Sequence, residues 1–92
     1  MSAEEKRGLY VVGRESVVEA RRMLGFDPQA DVFLVGRGLL LPVNMFSNRK
    51  IYALREEAEA IGVGDKVGEG LELVDAATMI DILLQHQIYN FS

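Results

Sequence analysis

Two arginines, each beside glycine at the end of an apolar run, are the residues here whose types and spacing best suit chemistry. Gly36-Arg37-Gly38 follows Val32-Phe33-Leu34-Val35, and Gly13-Arg14 follows Leu9-Tyr10-Val11-Val12. A guanidinium carries a permanent charge and a planar fork of donors, which suits phosphate, sulfate or carboxylate. Glycine permits a tight turn and lets backbone approach a ligand closely. Ligands of parallel sheets bind beyond the carboxyl ends of the strands, where both turns would lie. If the two strands are neighbours, Arg14, Gly36, Arg37 and Gly38 form a candidate site for an anion or a partner. The plainer alternatives are a simple turn at Gly36-Arg37-Gly38, and arginines paired with Glu15, Glu19 or Asp31. Sequence alone leaves both open.

Other constellations are weaker. The phosphate loop G-x-x-x-x-G-K-[ST] is absent, and Leu41 stands where the dinucleotide fingerprint G-x-G-x-x-G needs its third glycine. His86 is the single histidine, with no carboxylate at metal-ligand spacing, so a surface or helix-capping role is expected and no metal. Ser16 and Ser47 have no histidine arranged to activate them. With zero cysteines, disulfides, thiolate metal sites and a cysteine nucleophile are excluded from these 92 residues. No cofactor is implied. Met45 and Phe46, after the leucines at 39–41, are either core or an apolar contact patch.

The elements that position these residues follow from periodicity. Residues 9–12, 32–35, 51–54 and 71–74 are short apolar runs with the character of strands buried on both faces. Ser16-Val17-Val18-Glu19 has the form of a capping box and predicts a helix to about Leu24, which Gly25 would end in a left-handed conformation. The segment 38–46 predicts a helical turn or two, since Pro42 bars a long helix. Arg55-Glu56-Glu57-Ala58-Glu59-Ala60-Ile61 predicts a second helix ended by Gly62. Asp75 is a good N-cap for a third from Ala76 to about Gln85, and residues 88–91 suit a last strand. The glycine-rich stretch 62–70 is expected to be the most flexible. Alternation of strand and helix predicts an α/β fold: a three-layer α/β/α sandwich with a mainly parallel sheet of four to five strands.

Composition sets the outer bounds. The 92 residues suffice for one small domain, with 1–7 expected to be a flexible lead-in. A net charge of −4 and the lack of a basic run argue against direct nucleic-acid binding. The start, MSAEEKRG, lacks the apolar stretch of a signal peptide, and no run approaches the ~20 apolar residues of a membrane span. A soluble, cytoplasmic chain is expected.

The second half resembles the DsrH/TusB-like branch of the DsrE sulfur-relay family. The strand–helix unit "VYAL-x-E-D-x-x-A-R-G" is matched by Tyr52, Ala53, Leu54, Glu56 and Gly62. The unit "L-I-D-Y-x-x-F-V-x-L" is matched by Leu73, Val74, Asp75, Ile80 and Leu83. Val32-Phe33-Leu34-Val35 with its Gly36-Arg37-Gly38-Leu39 turn resembles the strand before "DGV", and Arg14 falls where an "R-S-P" turn is common. The resemblance covers about residues 9–91. It implies a DsrEFH-like α/β/α domain that assembles with itself or with DsrE/DsrF- or TusC/TusD-like chains. It further implies a place in sulfur relay to tRNA thiolation or sulfur oxidation. The family works through a cysteine persulfide, and this chain has no cysteine in 17–22 or elsewhere. The implied role is therefore that of a non-catalytic subunit, not an enzyme in its own right. The other function the residues suggest is a regulatory domain that binds an anionic small molecule at Arg14 and Arg37.

Overall fold

Short runs of β-branched and aromatic residues pair here into one sheet, and helical segments cross between them. The computed structural model describes residues 6–46, 48–64 and 70–92. In chain order these form β1 (Arg7–Val12), α1 (Val17–Leu24), β2 (Asp31–Leu34), β3 (Ile51–Leu54), α2 (Arg55–Ile61), β4 (Leu71–Val74), α3 (Ala76–Leu84) and β5 (His86–Phe91). The strand order is β4-β3-β2-β1-β5, and all four pairings are parallel. The α/β reading holds. The last strand starts two residues earlier than the sequence suggests, at His86.

Strand residues alternate between two apolar clusters, as a sheet buried on both faces requires. Tyr10, Val12, Val32, Leu34, Ile51, Ala53 and Leu71 pack with Ala20 and Leu24 of α1, with Leu39, Val43 and Phe46, and with Ala58 of α2. Leu9, Phe33, Tyr52 and Val74 pack with Ile82, and Met79 and Leu83 of α3 join that cluster. Full burial of each valine, leucine, isoleucine or phenylalanine among them contributes roughly 1.5–3 kcal/mol.

The segment between β2 and β3 winds as two 3-10 turns, Gly36–Leu40 and Val43–Phe46, with Pro42 between them. This is the helical turn or two expected from the proline. Gly62 ends α2 in the left-handed region at φ +91°, and its N–H donates to Ala58 O at 2.9 Å. Asp75 caps α3 by accepting from the Thr78 N–H at 2.8 Å.

Two expected caps do not form. A 3-10 turn, Arg14–Ser16, leads into α1, and the Ser16 side chain makes no capping bond. The turn already supplies right-handed backbone before α1, so the hydroxyl is not used. Gly25 stays right-handed at φ −62°, because Phe26 N–H to Met23 O (3.0 Å) and Asp27 N–H to Leu24 O (3.0 Å) continue the turning. The centre of the glycine-rich stretch, 65–69, and residues 1–5 of the expected lead-in lie outside the described residues, as does Ser47. Lys6 and Arg7 are described, and Arg7 already belongs to β1.

Candidate functional site

The parallel pairing of β1 with β2 sets the turns after both strands side by side at the carboxyl edge of the sheet. Gly13, Arg14, Glu15, Val35, Gly36, Arg37 and Ser92 line one groove there of about 220 Å3. Arg14 and Arg37 are both exposed, and neither has an ion-pair or hydrogen-bond partner among the described residues. The alternative pairing with Glu15, Glu19 or Asp31 does not occur. Asp31 lies at the opposite end of β2, and Glu15 is the one acidic side chain among the described residues that line the groove.

The two glycines are explained by the turn itself. Gly36 has φ +54°, a left-handed conformation that glycine adopts without penalty. Its N–H donates to Glu57 Oε1 at 3.3 Å, so a carboxylate from α2 already occupies the amide an anion would seek. Gly38 is buried and does not line the groove. A Cβ there would sit 2.5 Å from Val12 O and 3.3 Å from Gly13 Cα. Its missing side chain is what lets the Arg37 turn close on the Arg14 turn. Of the four rim residues, the two arginines are thus the groups available to a ligand.

Met45 and Phe46 belong elsewhere. Phe46 is 2% exposed and sits in the core, and with Met45 it lines a small hollow beside Arg21, Leu24 and Arg49. Met45 is half-buried against the same cluster.

Two polar clusters escape sequence reasoning. Asp31, 2% exposed, opens β2, and His86 opens β5. His86 Nε2 lies 3.0 Å from Asp31 Oδ2, and Nδ1 lies 2.6 Å from Ile82 O. A carbonyl only accepts, so Nδ1 donates to Ile82 O, and Nε2 is paired with the Asp31 carboxyl group. The second carboxylate oxygen, Asp31 Oδ1, has no hydrogen bond and lies 3.6 Å from Arg7 Nη2. With both nitrogens engaged, His86 has none free to act as a base. It ties the end of α3 to the start of β2. The helix-end position expected for it holds through the Ile82 carbonyl, while the link to Asp31 spans 55 residues and leaves no local pattern.

Arg49 is the second such cluster. Its guanidinium donates to Ala30 O at 2.9 Å, Asp27 O at 3.1 Å and Leu24 O at 3.4 Å. The fork collects three carbonyls where α1 gives way to β2, and so fixes the loop. A larger hollow of about 810 Å3 opens at the amino edge, lined by Lys6, Arg7, Asp27 and Tyr89 among others. Its cations are committed: Arg7 Nε donates to Gln29 O at 3.0 Å and Lys6 Nζ to Leu84 O at 3.2 Å. The carboxyl rim is smaller, and its two arginines have no partner among the described residues.

Burial raises the Tyr10 phenol above its ordinary value, with Asp27 and Tyr89 adding to the effect. Burial does the same for Tyr52, helped by Asp31 and Glu72. Both act as packed rings with a neutral hydroxyl. Tyr10 stacks on Phe91 at 5.4 Å and tilts against Tyr89 at 5.1 Å, which joins β1 to β5.

No family model, curated protein or solved structure matches the chain. Among the described residues no group of histidine, cysteine, aspartate or glutamate side chains could hold a metal, and no helix is long and apolar enough to cross a membrane.

Proposed function

We propose that the chain is a binding domain that receives an anionic group at the carboxyl rim of β1 and β2. Arg14 and Arg37 supply the charge and the donors. The observation that carries this reading is two exposed guanidinium groups, without a partner among the described residues, lining one groove in a chain of net charge −4. Glu57, by filling the Gly36 amide, leaves recognition to the side chains. The groove suits a small oxyanion or one phosphate of a larger metabolite. The test is thermal denaturation with phosphate, pyrophosphate, sulfate and thiosulfate at constant ionic strength. At least one should raise the Tm of wild type and leave R14A/R37A unmoved. A flat response of wild type to all four would end the proposal.

A second reading has its own support. The family units quoted from the sequence fall on strand–helix junctions: Tyr52, Ala53 and Leu54 end β3 as Arg55 opens α2, and Leu73 and Val74 end β4 as Asp75 caps α3. The two apolar clusters, one with α1 and α2 and one with α3, are what a three-layer DsrEFH-like sandwich would have. On this reading the chain is a non-catalytic DsrH/TusB-like subunit that docks to cysteine-bearing DsrE/DsrF- or TusC/TusD-like carriers in the cytoplasm. The oxyanion would then be part of what such a carrier presents. Mass spectrometry after incubation with a persulfide donor should find no covalent sulfur on this chain. Uptake of sulfur by the chain alone would contradict the reading.

A further inference from the structure

The two edges of the sheet differ. On β4, which has four residues, Glu72 is exposed, and a charge of this kind is a usual guard against edge-to-edge pairing. On β5, His-Gln-Ile-Tyr-Asn-Phe, six residues carry no acid, lysine, arginine or proline, and the ring of His86 is turned to Asp31. Phe91 O accepts from the Gly13 N–H at 3.1 Å, so Phe91 faces β1. By strand alternation Tyr89 and Gln87 face β1 as well, and the backbone N–H and C=O of His86, Ile88 and Asn90 point outward. That row has no strand beside it among the described residues.

Apolar side chains flank the same edge on both faces. Ile88 sits beside Leu9, on the α3 side of the sheet, and is 37% exposed. On α3, Met79, Ile82 and Leu83 meet the sheet, while Ile80 and Leu84, one turn apart, are 53% and 69% exposed. With the right-handed crossover that parallel strands take, the winding of α3 turns these two toward β5. On the other face Met23, 46% exposed, shares a groove with Phe91, Glu19 and Arg22, and Tyr89 is 43% exposed.

We infer that β5 pairs antiparallel with β5 of a second copy, about a two-fold axis perpendicular to the sheet, to give one continuous sheet. Such an axis keeps each face on its own side. It therefore brings α3 to α3 across one face and α1 to α1 across the other. A single peptide strand would satisfy the backbone row but leave both flanks bare. A second copy covers the row and both flanks together. A stable interface hides roughly 800 Å2 per partner, more than an edge strand alone supplies, and the two helical flanks extend it. Glu19 and Arg22 present one charge of each sign on the α1 flank, and on the α3 flank Lys6 Nζ is held by Leu84 O at 3.2 Å.

Sedimentation equilibrium of the full chain tests this. The wild type should have twice the 10.2 kDa of one chain at micromolar concentration. Asn90→Pro removes an outward N–H that β1 does not use, and should give a monomer. I80E/L84E changes only exposed positions on the α3 flank, and should raise the dimer Kd at least about tenfold with unchanged circular dichroism. If Asn90→Pro fails to fold, I80E/L84E decides alone. A wild-type monomer throughout, or a dimer that I80E/L84E leaves as tight, would overturn the inference. The anion proposal is tested separately, since neither rim arginine belongs to β5 or α3 and I80E/L84E leaves the rim residues unchanged.

Discussion

At the scale of single residues, the most consequential group is Asp31. Its carboxylate is buried, with His86 on one oxygen and Arg7 at 3.6 Å from the other. Removing one partner of a buried pair costs about 3–5 kcal/mol when nothing replaces it, and without His86 the carboxylate keeps only the longer Arg7 contact. His86→Ala should therefore lower stability by that order in chemical denaturation. D31A/H86A should cost less than His86→Ala alone, because no buried charge is left behind. A double variant less stable than the single one would contradict this account. Arg49→Ala deprives three carbonyls of one donor group and should cost about 1–3 kcal/mol by the same measurement. The tyrosines give a pH dependence whose sign is fixed. For Tyr10 and Tyr52 the folded-state pKa is raised, so the neutral phenol is favoured by folding. That stability is complete below the unfolded value near 10 and is lost as pH rises through the higher folded value. Tyrosinate absorbance should show both rings ionising later than in a denatured control, together with loss of the fold.

At the scale of elements, much was legible because strand and helix periods differ and punctuation is local. The bounds of β3, α2 and β4 match apolar runs, a glutamate-rich run and glycine. Gly62 and Asp75 act as their types suggest, since each needs only its own backbone or a residue three positions on. The failures are those in which neighbouring backbone overrode local chemistry. The Ser16 box is pre-empted by the 3-10 turn before α1, and Gly25 is held right-handed by turns that continue to Asp27. His86 and Arg49 could not be read, because their partners lie 19 or more residues away, except the carbonyl of Ile82. The rim was half legible. The sequence placed Arg14 and Arg37 at strand ends, but the reason for Gly38 is a contact with Val12 of another strand. Gly38→Ala forces a Cβ to within 2.5 Å of that carbonyl and must push the two turns apart. It should cost about 1–3 kcal/mol and weaken any anion bound at the rim. Wild-type stability and affinity in that variant would show that the close approach does not set the site.

At the scale of the whole molecule, one parallel sheet divides its labour between edges. The amino edge holds the Asp31–His86 pair and the committed cations Lys6 and Arg7, and serves stability. At the carboxyl edge the two arginines without a partner among the described residues stand where ligands of parallel sheets bind. Each hydrogen bond to a charged group contributes about 1.5–3 kcal/mol, and exposure of both arginines places their loss near the low end. Removing the pair should then weaken anion binding at least about tenfold, and added salt should weaken it in wild type. The most direct measurement is an NMR titration of the labelled protein with pyrophosphate. Saturable shifts confined to the amides of 13–16 and 35–38, absent in R14A/R37A, are the result expected. Shifts centred on the amino edge near Lys6 and Arg7, or an unchanged titration in R14A/R37A, would contradict the claim that the carboxyl rim is the working site.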